Sequence, residues 1–448
     1  MLFPFVTLIA VRHNTFTIFQ RVSLSILVSG LILASFNTLA ADGSLTLSEA
    51  QQLAVKRSRQ LAAQDLAVSA SRNMAVAANQ LPDPVLKVGI DNLPISGQDR
   101  LNLNRDFMTM RRIGVAQEIT SADKRQLRAE FFERSARKSL AEKNTTIAAI
   151  ERDTAIAWLE RYYTEKMAIV VAEQATQAKL EIQTAENAYR AGRGSQADIF
   201  TARSALVLVE DRFSEIQRRV LNAKTLLARW TGDAAQAPLA GQPAIDTIPL
   251  NTATLDVQLA HHPQIAVLTS QTDIAETDAK LAQANKKSDW TIEVAFQQRG
   301  PAYSNMVSVG VSIPFQWDQK NRQDRELSSK LAMVEQTKAE REEILRTHVA
   351  EIHSMINEWQ NGRERITRYQ SQLLPLAFSR TEASIAAYRG GKASLDEVLI
   401  ARRNEIDVRL QALQLQADTA RLWAQLSFLF PIDAQNRHSV AIMKQDTP

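Results

Sequence analysis

The clearest polar pattern in the sequence is a short set of residues that occurs twice. Each copy contains a tyrosine, a glycine, a serine and a carboxylate at matching spacing. The first copy is Tyr189, Gly192, Ser195 and Asp198, and the second is Tyr388, Gly391, Ser394 and Glu397. The glycine can take the left-handed conformation that ends a helix, and the serine can cap the next helix together with the carboxylate three residues later. The pattern therefore predicts two tight turns, each between two helices.

Other reactive residues give no pattern of a catalytic or metal site. His348 and His353 lie five residues apart, which places them on different faces of a helix, and His261–Pro263 lacks a coordinating geometry. Met108 and Met110 are better suited to filling a loop than to binding a soft metal ion. The absence of cysteine excludes disulfides, thiolate ligands, a cysteine nucleophile and a lipid-anchored N-terminal cysteine. We expect no enzymatic activity, no cofactor and no metal site.

The composition favours long helices. Of 448 residues, only 14 are glycine and 13 proline, and aromatic residues make up 6%. Alanine, leucine and long polar residues dominate, as they do in coiled coils. The formal net charge of +4 gives no reason to propose a nucleic acid as a partner.

The first 40 residues read as an export signal. Arg21 precedes an apolar run at 22–36, and small residues follow before Ala41, so we place cleavage after Ala40. The alternative is an N-terminal membrane anchor, but the run is shorter than the ~20 residues of a spanning helix.

The rest of the chain contains an internal repeat. Three pairs of segments match at an offset of about two hundred residues, and their order is the same in both halves. The pairs are 79–88 with 285–294, 113–115 with 309–311, and 188–203 with 387–402. We therefore divide the chain into a first repeat at 41–232, a linker at 233–254, a second repeat at 255–430 and a C-terminal tail at 431–448.

Each repeat has the same order of predicted elements. Medium helices are expected at 45–80 and 255–287, long helices at 122–190 and 318–390, and medium helices again at 195–230 and 394–430. The long helices would span on the order of 100 Å at ~1.5 Å per residue. No ordinary globular core needs helices of that length.

Four strands are predicted between the helices. They lie near 84–92, 110–119, 290–298 and 306–317, and apolar residues alternate with polar ones in each. Such strands could belong to a half-buried soluble sheet. However, Trp290, Phe315 and Trp317 fall at one end of the second hairpin, as expected for aromatic residues at a membrane interface. Two hairpins cannot close a barrel, so several chains would have to contribute strands.

With its doubled turn, its two hairpins and its direct repeat, the chain resembles the TolC family of outer-membrane channels over residues 45–430. The resemblance implies a mainly α fold with a membrane β-barrel: a homotrimer with a twelve-stranded barrel above an α-helical tunnel. It implies a periplasmic adaptor and an inner-membrane pump of the RND type as partners, with outer-membrane lipid around the barrel. The adaptor would dock at the two turns, through Tyr189, Gly192, Ser195, Tyr388, Gly391 and Ser394.

The resemblance also implies a narrow pore at the turns. Asp198 and Glu397 would line it, with a contribution from Asp396. Relatives can carry a second acidic residue three positions further on, where this chain has Thr201 and Ile400. This departure puts a two-layered acidic gate in doubt.

The sequence is thus interpreted as a passive exit duct in the outer membrane that extends into the periplasm. The segment at 79–91 resembles family members that serve heavy-metal cation pumps. Alternatives of the same class are a duct for drugs or for type I protein secretion. An alternative of another class is a periplasmic coiled-coil adaptor or scaffold, but an adaptor should have one helical hairpin rather than two.

Overall fold

The computed structural model describes residues 43–432 of the protein. The predicted signal peptide at 1–40 and residues 433–448 of the predicted tail lie outside the described residues. The described residues form long helices and one small antiparallel sheet.

The first repeat contains four helices and two strands. In chain order these are α1 (Leu47–Arg57), α2 (Arg59–Ala78), β1 (Val85–Asp91), β2 (Met110–Ile119), α3 (Ala122–Arg190) and α4 (Gln196–Thr231). The single helix predicted at 45–80 is wrong, because Ser58 is extended and starts a new helix. Its side-chain oxygen accepts a hydrogen bond from the Leu61 amide at 3.3 Å, which caps α2.

The second repeat follows a linker that contains two 3₁₀ turns, Gly232–Gln236 and Thr252–Thr254. Its elements are α5 (Leu255–Ala260), α6 (Pro263–Ala284), β3 (Trp290–Gln298), β4 (Met306–Ser312), α7 (Gln323–Arg368), α8 (Leu374–Arg389) and α9 (Leu395–Ser427). The helix predicted at 255–287 is divided, because Pro263 cannot donate a backbone hydrogen bond and begins α6.

The long helix predicted at 318–390 begins later and is not uniform. It starts at Gln323, and a π-helical turn at Tyr369–Leu373 separates α7 from α8. Pro375 is the second residue of α8 and lacks the N–H that would donate to the preceding turn. The wider turn lies where that hydrogen bond is lost.

The four strands form one sheet in the order β1–β2–β3–β4, and all neighbours are antiparallel. β2 pairs with β3, so the sheet joins the two repeats. The predicted strand at 306–317 is too long, since β4 ends at Ser312. Pro314 cannot donate to the ladder and ends the pairing.

The main core lies in the helical part, around Trp158 of α3. Buried residues from α1, α3, α4 and α9 meet there, including Ala50, Leu227 and Ala420. The Trp158 indole donates a hydrogen bond to the Leu45 carbonyl at 3.1 Å. Trp359, two hundred and one residues later, donates in the same way to the Ile245 carbonyl at 3.0 Å. Each long helix therefore holds a segment that precedes the first helix of its repeat.

Within residues 43–432, no helix combines the length and the apolar composition that a membrane span requires.

Candidate functional site

The sheet has one apolar face that is not covered by the helices. Its side chains alternate along all four strands and align across the register, as in the row Val88, Ile113, Phe296 and Val307. They are exposed to an extent unusual for large apolar residues: Val88 is 74% and Val309 70% accessible. Such a continuous exposed apolar surface marks a contact with lipid or protein.

The opposite face of the sheet is polar and carries a chain of ion pairs. The Lys87 ammonium donates to the Glu293 carboxylate, although strand β2 lies between their two strands. Arg112 lies 3.5 Å from an Asp91 oxygen and 3.7 Å from a Glu293 oxygen. Gly114 lies between Lys87 and Ala295 in the register, and a Cβ there would be 2.7 Å from the Ala295 Cβ. The missing side chain leaves room on this face for the lysine to reach across β2.

The aromatic residues predicted at an interface lie together at the helical end of the sheet. Trp290 is the first residue of β3, whereas Phe315 and Trp317 follow the end of β4. The two segments are joined by hydrogen bonds from Ser288 to the Pro314 carbonyl at 2.6 Å and from Gln316 to the Asn285 carbonyl at 3.0 Å. Phe315 and Trp317 are 88% and 87% accessible.

The turn between α3 and α4 has the geometry that its sequence predicts. Gly192 has a φ of 66°, and the Arg193 amide donates to the Ala188 carbonyl at 2.9 Å. Ser195 caps α4 by accepting a hydrogen bond from the Asp198 amide at 3.2 Å. The Asp198 carboxylate in turn accepts one from the Ser195 amide at 2.7 Å. The capping box is therefore complete.

The turn between α8 and α9 repeats this geometry. Gly391 has a φ of 72°, and the Lys392 amide donates to the Ala387 carbonyl at 2.9 Å. Ser394 accepts a hydrogen bond from the Glu397 amide at 3.3 Å, and the Glu397 carboxylate completes the capping box. Asp396 is exposed, and its side chain forms no hydrogen bond or ion pair with any residue from 43 to 432.

The two turns lie side by side. A small apolar cluster joins Ala185 of α3 and Ala202 of α4 to Leu395 of α9. Tyr388 packs against this cluster, while Tyr189, its counterpart in the repeat, is 49% accessible. The structure thus brings both predicted turns to one end of the helices, opposite the sheet.

Three comparisons with known proteins bear on this arrangement. No model of a known protein family matches the sequence. The chain is 22% identical over 391 residues to the cobalt-zinc-cadmium resistance protein CzcC of Cupriavidus metallidurans, covering 85% of this chain and 88% of that protein. The solved structures of the outer-membrane channel OprN and of CusC superpose with TM-scores of 0.72 and 0.73 at 15% and 14% identity. They cover 86% of this chain, and 89% and 92% of those chains.

The outer membrane protein VceC of Vibrio cholerae superposes with a TM-score of 0.69 at 17% identity, over 86% of this chain and 95% of that chain. The chain has the fold of TolC-type outer-membrane channels. The resemblance to TolC-type channels is confirmed, and so is the predicted mainly α fold with one small antiparallel sheet. The trimer and its shared twelve-stranded barrel stay predictions.

The channel fold also contains an ion-pair network near the turns that the sequence did not predict. Arg402 of α9 lies 3.5 Å from Glu181 of α3 and 3.5 Å from Glu405. All three line a cavity of about 490 Å³ between α3, α4 and α9. Burial raises the pKa of Glu181, and the charge of Arg402 opposes this shift. The sequence repeat singles out Arg402, because it matches Arg203 of the first copy. No local pattern identifies Glu181 as the partner of Arg402.

A histidine pair was also missed. His262 precedes the first turn of α6 and His348 lies within α7, yet their ring centroids are 4.4 Å apart. Burial, and then the neighbouring His348, lowers the pKa of His262 to about 4. The His262 ring nitrogen Nδ1 accepts a hydrogen bond from the Gln264 amide at 3.3 Å and so caps α6. Among residues 43–432, no group of three or more potential ligand side chains could hold a metal ion.

Proposed function

We propose that the protein is one subunit of an outer-membrane channel that serves as the passive exit duct of a tripartite efflux system. The observation that carries this proposal is the connection of one open-edged sheet to two long helical hairpins whose turns meet at the far end. A sheet with an exposed apolar face suits a bilayer, and helices of this length suit a tunnel across the periplasm.

The sheet requires further strands to satisfy its edges. β1 and β4 each pair on one side only within the described residues, which leaves backbone donors and acceptors open at both ends. In lipid these groups must be paired, so copies of the chain supply the neighbouring strands. Three copies with four strands each give the twelve-stranded barrel of the proposed homotrimer.

In this assembly the apolar face points to outer-membrane lipid, and the polar face with Lys87 and Glu293 lines the bore. Trp290, Phe315 and Trp317 then lie at the periplasmic interface of the barrel, because they lie where the strands meet the helices. α3 contains 69 residues, which corresponds to roughly 100 Å at ~1.5 Å per residue. The turns therefore reach deep into the periplasm.

The turns are the proposed docking site of a periplasmic adaptor that links the duct to an inner-membrane pump of the RND type. The docking surface contains Tyr189, Gly192, Ser195, Tyr388, Gly391 and Ser394. The adjacency of both turns supports this role, since one partner can contact both at once. The pump supplies the energy, and the duct performs no chemical reaction on its cargo.

Asp198, Asp396 and Glu397 form the proposed constriction of the pore. Capping uses oxygens of Asp198 and Glu397, but a carboxylate can accept several hydrogen bonds and keeps its charge. Asp396 is exposed and adjacent to Glu397. Three copies of these residues would concentrate negative charge and favour cations over anions.

Heavy-metal cations are the proposed cargo, because the similarity to the cobalt-zinc-cadmium resistance protein extends over most of both chains. Drug efflux and type I protein secretion are the rival cargoes. A periplasmic adaptor or scaffold fits poorly, since this chain has two helical hairpins and superposes on channels.

The orientation can be tested by cysteine labelling, because the sequence contains no cysteine of its own. A membrane-impermeant maleimide should label Ile95→Cys, in the loop between β1 and β2, in intact cells. Lys392→Cys, in the turn, should be labelled only after the outer membrane is permeabilised. Equal labelling of both variants in intact cells would contradict the proposal.

The cargo can be tested by growth. Deleting the gene should lower tolerance to cobalt, zinc or cadmium, and the wild-type gene should restore it. Unchanged metal tolerance together with new drug sensitivity would favour the rival cargo.

The proposed constriction can be tested separately in planar bilayers. The cation selectivity of single channels should fall in the variants Asp198→Asn, Asp396→Asn and Glu397→Gln.

A further inference from the structure

Two adjacent arginines of β2 have opposite environments. Arg112 lies on the polar face and is within ion-pair distance of Asp91 and Glu293. Arg111 is exposed and lies on the apolar face, where it aligns with Ile90 of β1 and Gln298 of β3. It is the next residue on this face beyond Ile113, roughly 7 Å further from the helices.

The Arg111 guanidinium is held in place by neutral groups. Nη2 donates to the Asn104 side-chain oxygen at 2.6 Å, and Nη1 donates to the Gln298 side-chain oxygen at 3.4 Å. No carboxylate between residues 43 and 432 pairs with it. A guanidinium has five N–H donors, so several remain for a ligand.

The loops around Arg111 are closely packed. The Arg299 Nε donates to the Phe107 carbonyl at 2.9 Å, and its guanidinium lies 5.0 Å from the centre of the Tyr303 ring. A Cβ on Gly300 would lie only 2.0 Å from the Asn104 carbonyl oxygen. This contact holds the loop that carries Asn104 against the loop between β3 and β4, and so fixes the partner of Arg111.

This end of the sheet also carries excess positive charge. The segments 92–111 and 299–305 contain Arg100, Arg105, Arg111 and Arg299 against only Asp99 and Asp106. None of these four arginines forms an ion pair within the part of the chain that the structure describes. Their charge is therefore available to an anionic surface.

We propose that Arg111 binds the phosphate group of an outer-leaflet lipid, with Arg105 as a second contact. The inference rests on the proposed function, which places the apolar face of the sheet in the outer membrane. Arginine at the edge of a lipid-facing band extends its charged end to the headgroup region. Its planar set of donors matches phosphate oxygens, and the phosphate supplies the negative charge that Arg111 lacks.

The test compares lipid binding by the purified full-length protein and its variants in detergent, measured by native mass spectrometry. The probes are bisphosphorylated lipid A, dephosphorylated lipid A and inorganic phosphate. We expect Arg111→Gln to weaken binding of bisphosphorylated lipid A about tenfold and Arg111→Lys to weaken it less. Arg112→Gln is the matched control on the other face and should bind as the wild type does.

Several outcomes would overturn the inference. They are equal binding of both lipid A forms, equal losses in Arg111→Gln and Arg112→Gln, and binding of inorganic phosphate as strong as that of the lipid. If Arg111→Gln fails to fold, Arg105→Gln replaces it, because the described structure gives its side chain no hydrogen bond. Heat-modifiable migration and outer-membrane fractionation report insertion separately. If the wild type inserts normally but Arg111→Gln binds lipid A as the wild type does, only the lipid site is rejected. If the wild-type protein does not insert into the outer membrane, the proposed function is rejected.

Discussion

The two helical hairpins come from one repeated unit but are held differently. α3 is unbroken over 69 residues and buries large side chains such as Trp158, Tyr163 and Met167. The matching helix of the second repeat is divided by a π turn, and within the described structure α8 buries a single side chain, Thr381. The first hairpin is therefore the more firmly packed of the two. The second is attached through fewer contacts and should open at lower cost.

The largest expected difference in stability is between substitutions of the two equivalent tryptophans, Trp158 and Trp359. Trp158→Ala should destabilise the protein by about 3–5 kcal/mol, since the side chain is 1% accessible in the main core. Trp359→Ala removes the same side chain from a smaller cluster and should cost less. Denaturation followed by circular dichroism checks both. Phenylalanine at each position is the control that keeps much of the ring volume.

An equal or larger loss for Trp359→Ala would show that the second hairpin is as firmly held as the first.

The stability that His262 provides as the N-terminal cap of α6 should depend on pH. Because burial lowers the pKa of His262 from 6.5 to about 4, the folded state disfavours protonation, and the unfolded state binds the proton more readily. The contribution of neutral His262 to the free energy of unfolding is therefore fully present above about pH 6.5, and it is lost as pH falls towards 4. Its full size is on the order of 3 kcal/mol. Thermal denaturation between pH 4 and 7 measures it.

His262→Ser introduces the residue type that caps α2 in the first repeat, at Ser58. It should remove this part of the pH dependence while keeping a cap. Other groups near the pair, including Arg152 and Glu351, remain unchanged in the variant. A wild-type pH profile in His262→Ser would rule out His262 as the titrating group.

The matched arginines test the attachment of the second hairpin. Arg402→Gln leaves Glu181 buried without its cation and should cost about 2 kcal/mol, because an unpaired buried charge is unfavourable. Its counterpart Arg203 pairs with Glu186 inside the first hairpin and is 58% accessible, so Arg203→Gln should cost at most about 0.5 kcal/mol. Hydrogen exchange of α9 and single-channel conductance measure the consequence.

Faster exchange in α9 and more frequent opening are expected only for Arg402→Gln, and identical behaviour of the two variants would contradict its role in attachment.

The turns should show the smallest difference between the repeats. Gly192→Ala and Gly391→Ala each place a side chain at a positive φ in open space, so both should cost about 1 kcal/mol through backbone strain alone. Gly390→Ala is the control, since Gly390 has a φ of −79°. Thermal midpoints of the three variants check this. Unequal costs at Gly192 and Gly391 would mean that the two turns are not equivalent.

Local features of the fold could be read from the sequence, and distant pairings could not. The turns around Ser195 and Ser394 form through contacts a few residues apart, so their residues alone predict them. Pro263 and Pro314 were visible signals for the helix start and the strand end that the predicted ranges overlooked. The contacts of His262 with His348 and of Arg402 with Glu181 depend on how whole helices pack. One sequence contains no local trace of such pairings.

The core around Trp158 has a consequence for how the protein is made. Leu45 contacts it near the start of the described chain, and Ala424 completes it near the end. A chain that leaves the cytoplasm N-terminus first cannot finish this core until α9 has also crossed. The earlier segments must stay unfolded and protected meanwhile, because contacts this distant in sequence form late. The core around Trp158 therefore stays incomplete until the last helix of the described chain is available to pack against the first.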